Sequence, residues 1–526
     1  MEDLFLIEEP AERLSHSVLS QYLAAIVTFL TGSGFYIFLI RFYSTEVVGT
    51  FALIQAINML LPILFTVGLP PTVQHMISFY YGKRDTSKVM KILLSYFYLS
   101  FIMAALSIGG VVLLAPYLSL YLFHSSIYTL LIIVLSVAVA LNIISLLAQS
   151  ILLGVGNFKK GAYVVAMGSG IGYLTAILMI LYNHNSTLDI VYSIVYGLIA
   201  GGAVSTSMGI VFVIQYVKKN CKTKINVTAE TFYTKEILKY SMPLFISSIL
   251  GYGAGYVDRF VVAFFINLSD LGIYNLALII ATSTTFIATP FTNILITKFS
   301  KYYGESFYDE SNKSKIGEGV RLSSIFLSLI FIPVAVGIAA ISPMILYLIG
   351  GSNYLRGTYP LIIITFSLAF CINLFIFTTV LYGLKKTNLF IISGLMSVLS
   401  NVLFSILLIP RYNILGASLS FSSTYFVSFF ILFYFLKKEN VAKIDYVTIS
   451  KIWLASVVMF FTVIDIEYFL GRSLLMILPY MVIGALIFTG IIKLTSAINK
   501  NDLDLFIDVI PDRLRWFKKI IPVLFL

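Results

Sequence analysis

The residues best able to do chemistry in this chain are two charges inside an apolar run. Asp258 and Arg259 sit within Tyr256-Val257-Asp258-Arg259-Phe260-Val261-Val262, where the flanking side chains are aromatic or aliphatic. A charge in hydrocarbon costs about 2.5–3.5 kcal/mol on insertion scales and is retained where it faces protein or a wet cavity. Neighbouring residues of a helix do not face each other, so the two charges reach different partners. Two roles are open to them. Arg259 can dock an anionic headgroup in an aqueous cavity, or the pair can serve as a structural clamp or a snorkelled pair near a helix end.

A second set lies earlier. Gln21, Gln55, Asn58 and His75 place amides and an imidazole on the first two apolar stretches, and Arg41 and Glu46 flank the turn between them. Such amides hydrogen-bond sugar hydroxyls or tie helices together, and tying is the commoner use. Asn142, Gln149, Asn373 and Asn401 are open to the same two uses, while Arg41 and Glu46 read as topology and turn residues. The candidate substrate-binding set is therefore Arg259, Asp258, Arg41, His75, Gln21, Gln55 and Asn58.

Catalytic and metal-binding patterns are missing from the sequence. It has no GxxxxGK[ST] phosphate loop, its four histidines (His16, His75, His124, His184) are scattered, and Cys221 and Cys371 are far apart. Carboxylates are concentrated in the N-terminal tail and the loops. The chain is expected to be no enzyme and to need no metal or cofactor.

The elements that must hold these residues are membrane spans. Hydrophobic residues make up 59% of the chain and charged residues 11%, against about 25% charged in soluble domains, and the mean hydropathy is +0.97. A span needs about 20 apolar residues. Fourteen stretches qualify, at about 18–40, 47–69, 91–115, 127–153, 161–182, 188–216, 240–266, 271–297, 321–342, 359–383, 388–409, 413–436, 450–470 and 473–493. A continuation of the second past Pro70-Pro71 toward Tyr81 would carry His75 into the membrane interface.

Charge orients them. All 25 lysines, and about 30 of the 35 Lys and Arg residues, fall before the first span, after the last, or in or at the edges of loops after even-numbered spans; Arg41, Arg259, Arg356, Arg411 and Arg472 lie elsewhere. Basic residues stay cytoplasmic on insertion, so both termini are expected in the cytoplasm of a multi-pass plasma membrane protein. The net charge of +11 reads as this bias plus attraction to anionic lipid headgroups, not as nucleic-acid binding. The acidic N-terminus lacks the basic region of a cleavable signal, so the first span is expected to be retained.

The two halves look alike. Ser44-Thr45-Glu46-Val47-Val48-Gly49-Thr50-Phe51 after the first span matches Leu268-Ser269-Asp270-Leu271-Gly272-Ile273-Tyr274 after the seventh. Leu152-Leu153-Gly154 with Lys159-Lys160 matches Leu381-Tyr382-Gly383 with Lys385-Lys386. A duplication of six spans keeps both copies in the same orientation. The expected organisation is a cytoplasmic tail 1–17, a first lobe 18–216, a cytoplasmic linker 217–239, a second lobe 240–436, two additional spans within 450–493 and an interfacial tail 499–526. This is an all-α integral membrane fold of about fourteen transmembrane helices, with two parallel six-helix lobes plus two C-terminal helices.

Three blocks carry a family resemblance. Arg41-Phe42-Tyr43-Ser44-Thr45-Glu46-Val47-Val48-Gly49-Thr50-Phe51, Val67-Gly68-Leu69-Pro70 before Tyr81-Gly82-Lys83-Arg84, and Pro243-Leu244-Phe245-Ile246 with Tyr256-Val257-Asp258-Arg259 and Leu271-Gly272-Ile273-Tyr274-Asn275 resemble polysaccharide-biosynthesis membrane proteins, the Wzx-type oligosaccharide flippases. The resemblance implies the multidrug/oligosaccharidyl-lipid/polysaccharide exporter fold, with a cavity between lobes. It implies transfer of polyprenyl- or dolichyl-phosphate-linked oligosaccharides to the outer leaflet, with Arg259 at the family position best placed to meet the phosphate. Glycan polymerases or glycosyltransferases are the partners this implies. The alternatives are a Na⁺- or H⁺-coupled multidrug or metabolite exporter of the same superfamily, which Asp258 would serve, and a non-transporting scaffold for envelope glycans.

Overall fold

The computed structural model describes residues 11–83, 85–183, 186–220, 234–288, 292, 295, 311–383, 387–439 and 443–499. Residues 1–10 of the expected N-terminal tail, 221–233 of the linker and 500–526 of the interfacial tail lie outside the described residues. The chain runs α1 (Ala11–Phe42), α2 (Thr45–Thr66), α3 (Leu69–Gly82), α4 (Thr86–Leu122), α5 (Thr129–Gly154), α6 (Phe158–Tyr182), α7 (Thr187–Asn220), α8 (Thr234–Phe265) and α9 (Leu268–Ser283). It continues with α10 (Ser311–Ala340), α11 (Ser342–Gly350), α12 (Thr358–Phe370), α13 (Leu374–Gly383), α14 (Thr387–Tyr412), α15 (Ile414–Lys438), α16 (Tyr446–Leu470) and α17 (Ile477–Leu494). Among the described residues, 12 helices are long and apolar enough to cross a membrane, or 13 with α12 and α13 as one span bent by 45°. The expected seventh span falls on α8, a helix of 32 residues outside that set.

Lipid explains the outside of this molecule. Leu113, Leu178, Phe461, Leu475 and Leu486 are each more than half exposed, a surface that would drive association in water. In a bilayer, helices gain little by hiding leucine and associate through close packing of small residues. α6 and α7 do so: a Cβ on Gly172 would stand 3.1 Å from the Gly197 carbonyl oxygen.

The chain divides into two compact units, Met1–Gly272 and Ile273–Leu526. In the first, Leu69, Val73 and Ile77 recur every four residues along α3, the spacing of one helix face. They are fully buried in one cluster with Ile92 and Tyr96 of α4 and with Ile143 and Leu147 of α5. In the second, α10 packs on α12 and α16, α12 on α15, and α14 on α15. Aromatic contacts join them: Phe366 and Phe370 meet Trp453, and Phe377 meets Phe429 and Phe433.

Helix ends depart from the hydropathy reading at three places. The second stretch does continue toward Gly82, but through a break. Val67 is left-handed (φ 48°, ψ 42°), and Gly68 follows at φ 73°. A Cβ on Gly68 would stand 2.5 Å from the Ser241 carbonyl oxygen, so both conformation and space call for glycine. Pro70 and Pro71 then fall in the first turn of α3, where amide hydrogens have no intrahelical acceptor, and prolines there start a helix rather than stop one.

The tenth stretch bends without a proline. Leu374 N–H donates to the Cys371 carbonyl and Phe375 N–H to that of Ile372, the tighter i→i+3 pattern. Between the ninth and tenth stretches, the nine-residue α11 and a 3-10 turn at Ser352–Gly357 occupy what hydropathy leaves as a plain connection.

The boundaries also recur. α5 and α6 begin at Thr129 and Phe158, and α12 and α14 begin at Thr358 and Thr387, a displacement of 229 residues in both cases.

Candidate functional site

α8 carries the two charges close to its end. Asp258 lies seven residues before Phe265, about 10 Å along the axis at 1.5 Å per residue. Asp258 is fully buried and Arg259 partly so, and each is engaged by another group. A buried ion carries a desolvation penalty of several kcal/mol that close partners must offset, so these charges are held rather than tolerated. α8 packs along α2 and α3, and its end is tied down by His124. The imidazole Nε2 lies 2.9 Å from the Ala263 carbonyl oxygen and 3.1 Å from that of Ile266. Carbonyls only accept, so Nε2 carries the hydrogen and donates to both. Ala263 is among the last residues of α8, whose carbonyls have no intrahelical donor.

On α2, Gln55 is half-buried and Asn58 is buried; three residues apart, they share a face. Asn142 Nδ2 donates to the Asn58 backbone carbonyl at 3.0 Å, and the Thr206 hydroxyl donates to the Leu141 carbonyl at 2.8 Å, so α2, α5 and α7 are tied in series. The side-chain oxygen of Asn58 is buried without a hydrogen-bond partner. Gln21 Nε2 donates to the Phe158 carbonyl at 2.6 Å, fixing α1 to the start of α6.

The other candidates lie elsewhere. Arg41 is exposed in the last turn of α1, where a cation suits the negative end of the helix dipole. His75 is exposed on α3 and stacks on Tyr240 of α8, with ring centroids 5.3 Å apart and Nδ1 3.3 Å from the phenol oxygen. Phe79 also stacks on His75, with ring centroids 6.4 Å apart, and the Lys83 ammonium sits 4.4 Å from the Phe79 ring centre. The structure thus puts Gln55 and Asn58, and Asp258 and Arg259, on two helices that pack together, with His75 on α3 against the first half of α8 and Gln21 and Arg41 on α1. Among the described residues, no three His, Cys, Asp or Glu side chains are grouped to hold a metal.

One arrangement is invisible in either matching segment alone. The starts of α2 and α9 touch, and the contact is reciprocal. A Cβ on Gly49 would collide with the Leu268 carbonyl, and a Cβ on Gly272 would collide with that of Thr45. Thr45 and Ser269 share a hydroxyl hydrogen bond of 2.6 Å. Each helix start is capped three residues ahead: Ser44 Oγ accepts from Val47 N–H at 3.4 Å, and Asn267 Oδ1 accepts from Asp270 N–H at 2.7 Å. Shifting Ser44, Thr45 and Gly49 by 223 residues gives Asn267, Leu268 and Gly272.

Residues 38–359, more than half of the chain, match the family described as polysaccharide biosynthesis protein. The chain belongs to that family. The match takes in Arg41, Gln55, Asn58, His75, Asp258 and Arg259, and leaves Gln21 outside.

Among relatives, the capsular polysaccharide biosynthesis protein CapF of Staphylococcus aureus is 23% identical over 294 residues, 54% of this chain and 70% of CapF. The probable low-salt glycan biosynthesis flippase Agl15 of Haloferax volcanii is 23% identical over 325 residues, 61% of this chain and 65% of Agl15. Among solved structures, the lipid II flippase MurJ in an inward closed conformation superposes with a TM-score of 0.69 at 17% identity, covering 91% of this chain and 98% of MurJ. An inward-facing multidrug resistance MATE transporter of the MOP superfamily gives 0.63 at 13% identity, covering 81% of this chain and 98% of the transporter. This member of the polysaccharide biosynthesis family therefore has the helical fold of the MOP-superfamily transporters.

Proposed function

We propose that the protein is a flippase that carries a polyprenyl- or dolichyl-(pyro)phosphate-linked oligosaccharide from the cytoplasmic to the outer leaflet of the cell membrane by alternating access. A sugar–phosphate head cannot cross hydrocarbon unaided, because each unpaired polar group there costs several kcal/mol. In this reading α8 is the seventh of fourteen spans, two six-span lobes are followed by two further spans, and both termini are cytoplasmic, as the one-sided lysines favour. Arg259 meets the phosphate, with Asp258 fixing its surroundings. Gln55 and Asn58 offer amides to sugar hydroxyls, and the unpartnered Asn58 oxygen is an acceptor already desolvated. Arg41, His75 and Gln21 shape the two ends of the path. Glycan polymerases or glycosyltransferases are its partners, since they supply or consume such a lipid.

The observation that carries the reading is the Asp258–Arg259 pair, kept inside a helix of a polysaccharide-biosynthesis family member. The test is leaflet transfer in proteoliposomes, using a fluorescent polyprenyl-pyrophosphate oligosaccharide and an impermeant quencher. Protein-dependent quenching is expected, falling about tenfold in Arg259→Ala, the size of a lost charged contact of ~1.4 kcal/mol, while insertion is retained. An absence of transfer, with or without a Na⁺ or H⁺ gradient, would overturn the proposal.

A further inference from the structure

The turns joining α1 to α2, α4 to α5 and α8 to α9 meet the start of α7 at one end of the first unit around a cavity of about 460 Å³. That volume lies within the ~300–1,000 Å³ typical of small-ligand sites. Phe123, Tyr128 and Leu268 are buried and form an apolar, aromatic floor. Glu46, Ser125 and Asn267 also line the cavity and supply a carboxylate, a hydroxyl and an amide.

We propose that this cavity is a saccharide subsite on the outer side of the membrane, taking a neutral or N-acetylated sugar ring and rejecting uronate and phosphate. The assignment to the outer side, and the delivered glycan as its source, rest on the flippase reading above. A sugar ring has an apolar C–H face and an equatorial belt of hydroxyls, and it matches an aromatic floor ringed by mixed donors and acceptors. The Glu46 carboxylate accepts charge-assisted hydrogen bonds from sugar hydroxyls. Among the described residues no Lys or Arg lines the cavity, so an anionic ligand meets the Glu46 carboxylate as like charge. The rim is set before any ligand arrives. His124 is held by its bonds at the C-terminal end of α8, and the lining Ser269 is bonded to Thr45, which lowers the ordering cost of binding. His124 itself is left-handed at φ 54°, an unfavourable conformation for a residue with a Cβ and one found at binding sites.

The test uses the full chain in nanodiscs and saturation-transfer difference NMR with chitotriose, maltotriose and trigalacturonate. Saturation of the first two and not the third is expected. Glu46→Gln is expected to weaken chitotriose binding at least about fivefold, a ~1 kcal/mol change. Ile127→Trp, at an exposed rim position, fills the cavity and abolishes binding, and size-exclusion profiles report that both variants fold. Binding indifferent to both variants, or a preference for trigalacturonate, overturns the subsite. Leaflet transfer on the same preparations separates the two proposals. Transfer without sugar binding overturns the subsite alone, whereas sugar binding without transfer overturns the flippase reading alone.

Discussion

A single methyl group at Gly49 has no room. The ideal Cβ would stand 2.7 Å from the Leu268 carbonyl carbon and 3.0 Å from Gly272 N, and closer still to the Leu268 oxygen. Ordinary carbon contacts lie near 3.5–4.0 Å, so the starts of α2 and α9 must part by about 1 Å. Overpacking of that kind costs about 1–3 kcal/mol. That shifts the population away from the touching arrangement by roughly 5-fold to 150-fold. The assay places cysteines at Thr45 and Ser269, with Cys221 and Cys371 replaced by alanine, and measures cross-linking by a short bifunctional thiol reagent in native membranes. Gly49→Ala is expected to lower the cross-linked fraction, raise labelling by an impermeant maleimide and slow leaflet transfer. Gly272→Ala is expected to do the same, because the contact is reciprocal. Unchanged cross-linking and labelling in either variant would refute the reasoning.

Further predictions concern the second unit and the topology. Glu467 is buried, and its charged partner is Arg472 at 3.4 Å, whose side chain is 60% exposed. Arg472→Ala is expected to cost about 2–3 kcal/mol, less than the 3–5 kcal/mol of a fully buried pair because solvent screens the arginine. Adding Glu467→Gln should restore much of the loss in thermal unfolding, and an unchanged Tm in the single variant counts against the pair. Asp445 caps α16, accepting from the Thr448 N–H and hydroxyl, both at 2.9 Å. Burial pushes its carboxyl up, but the hydrogen bonds from Thr448, the nearby Arg321 and the Val447 N–H together hold it below the ordinary value of 3.8. A group lowered in the folded state stabilises above its unfolded pKa and loses that contribution as pH falls through the lowered value. Asp445→Ala is therefore expected to cost about 1 kcal/mol at pH 7, with the cost fading only below about pH 4; Tm scans of both proteins at pH 7 and below 4 check this, and an undiminished difference at low pH tells against the charged cap. Moving three lysines from the 217–239 segment into the 183–188 turn should disturb insertion, read by thiol accessibility of the two loops, and no change would remove the charge argument for orientation.

Hydropathy located the membrane helices well because lipid acts on each side chain nearly independently, so a sum over about 20 residues carries the answer. Where an end depends on a neighbour, the sum fails. Pro70-Pro71 looks like an interruption, yet the break lies at Val67-Gly68, where the backbone of α8 comes within reach of Gly68. The bend after Phe370 has no local marker beyond Asn373, which is buried. Asp258 and Arg259 were conspicuous because charge in an apolar run is rare, and Asp258 is fully buried. His124 was not conspicuous: its use is a contact to carbonyls 139 and 142 residues away, and nothing in Phe123-His124-Ser125 announces it. Among the amides, sequence could not say which would tie helices; Gln21 and Asn142 do so through backbone carbonyls.

The mutual fit of Gly49 and Gly272 has an evolutionary reading. A patch that contacts its own repeat equivalent is what a self-complementary interface between two identical copies becomes once they are joined in one chain. In such an ancestor every substitution at this patch would have been felt twice, on both sides of the axis, so improvement on one side was always coupled to the other. Fusion removes that coupling. Thr45 bonds Ser269 through its hydroxyl, whereas its counterpart Leu268 has no hydroxyl to offer, and Ser44 and Asn267 cap equivalent turns with different chemistry. If the two halves are such a duplication, the glycines record the old constraint, and the residues around them show how far one half has been free to specialise.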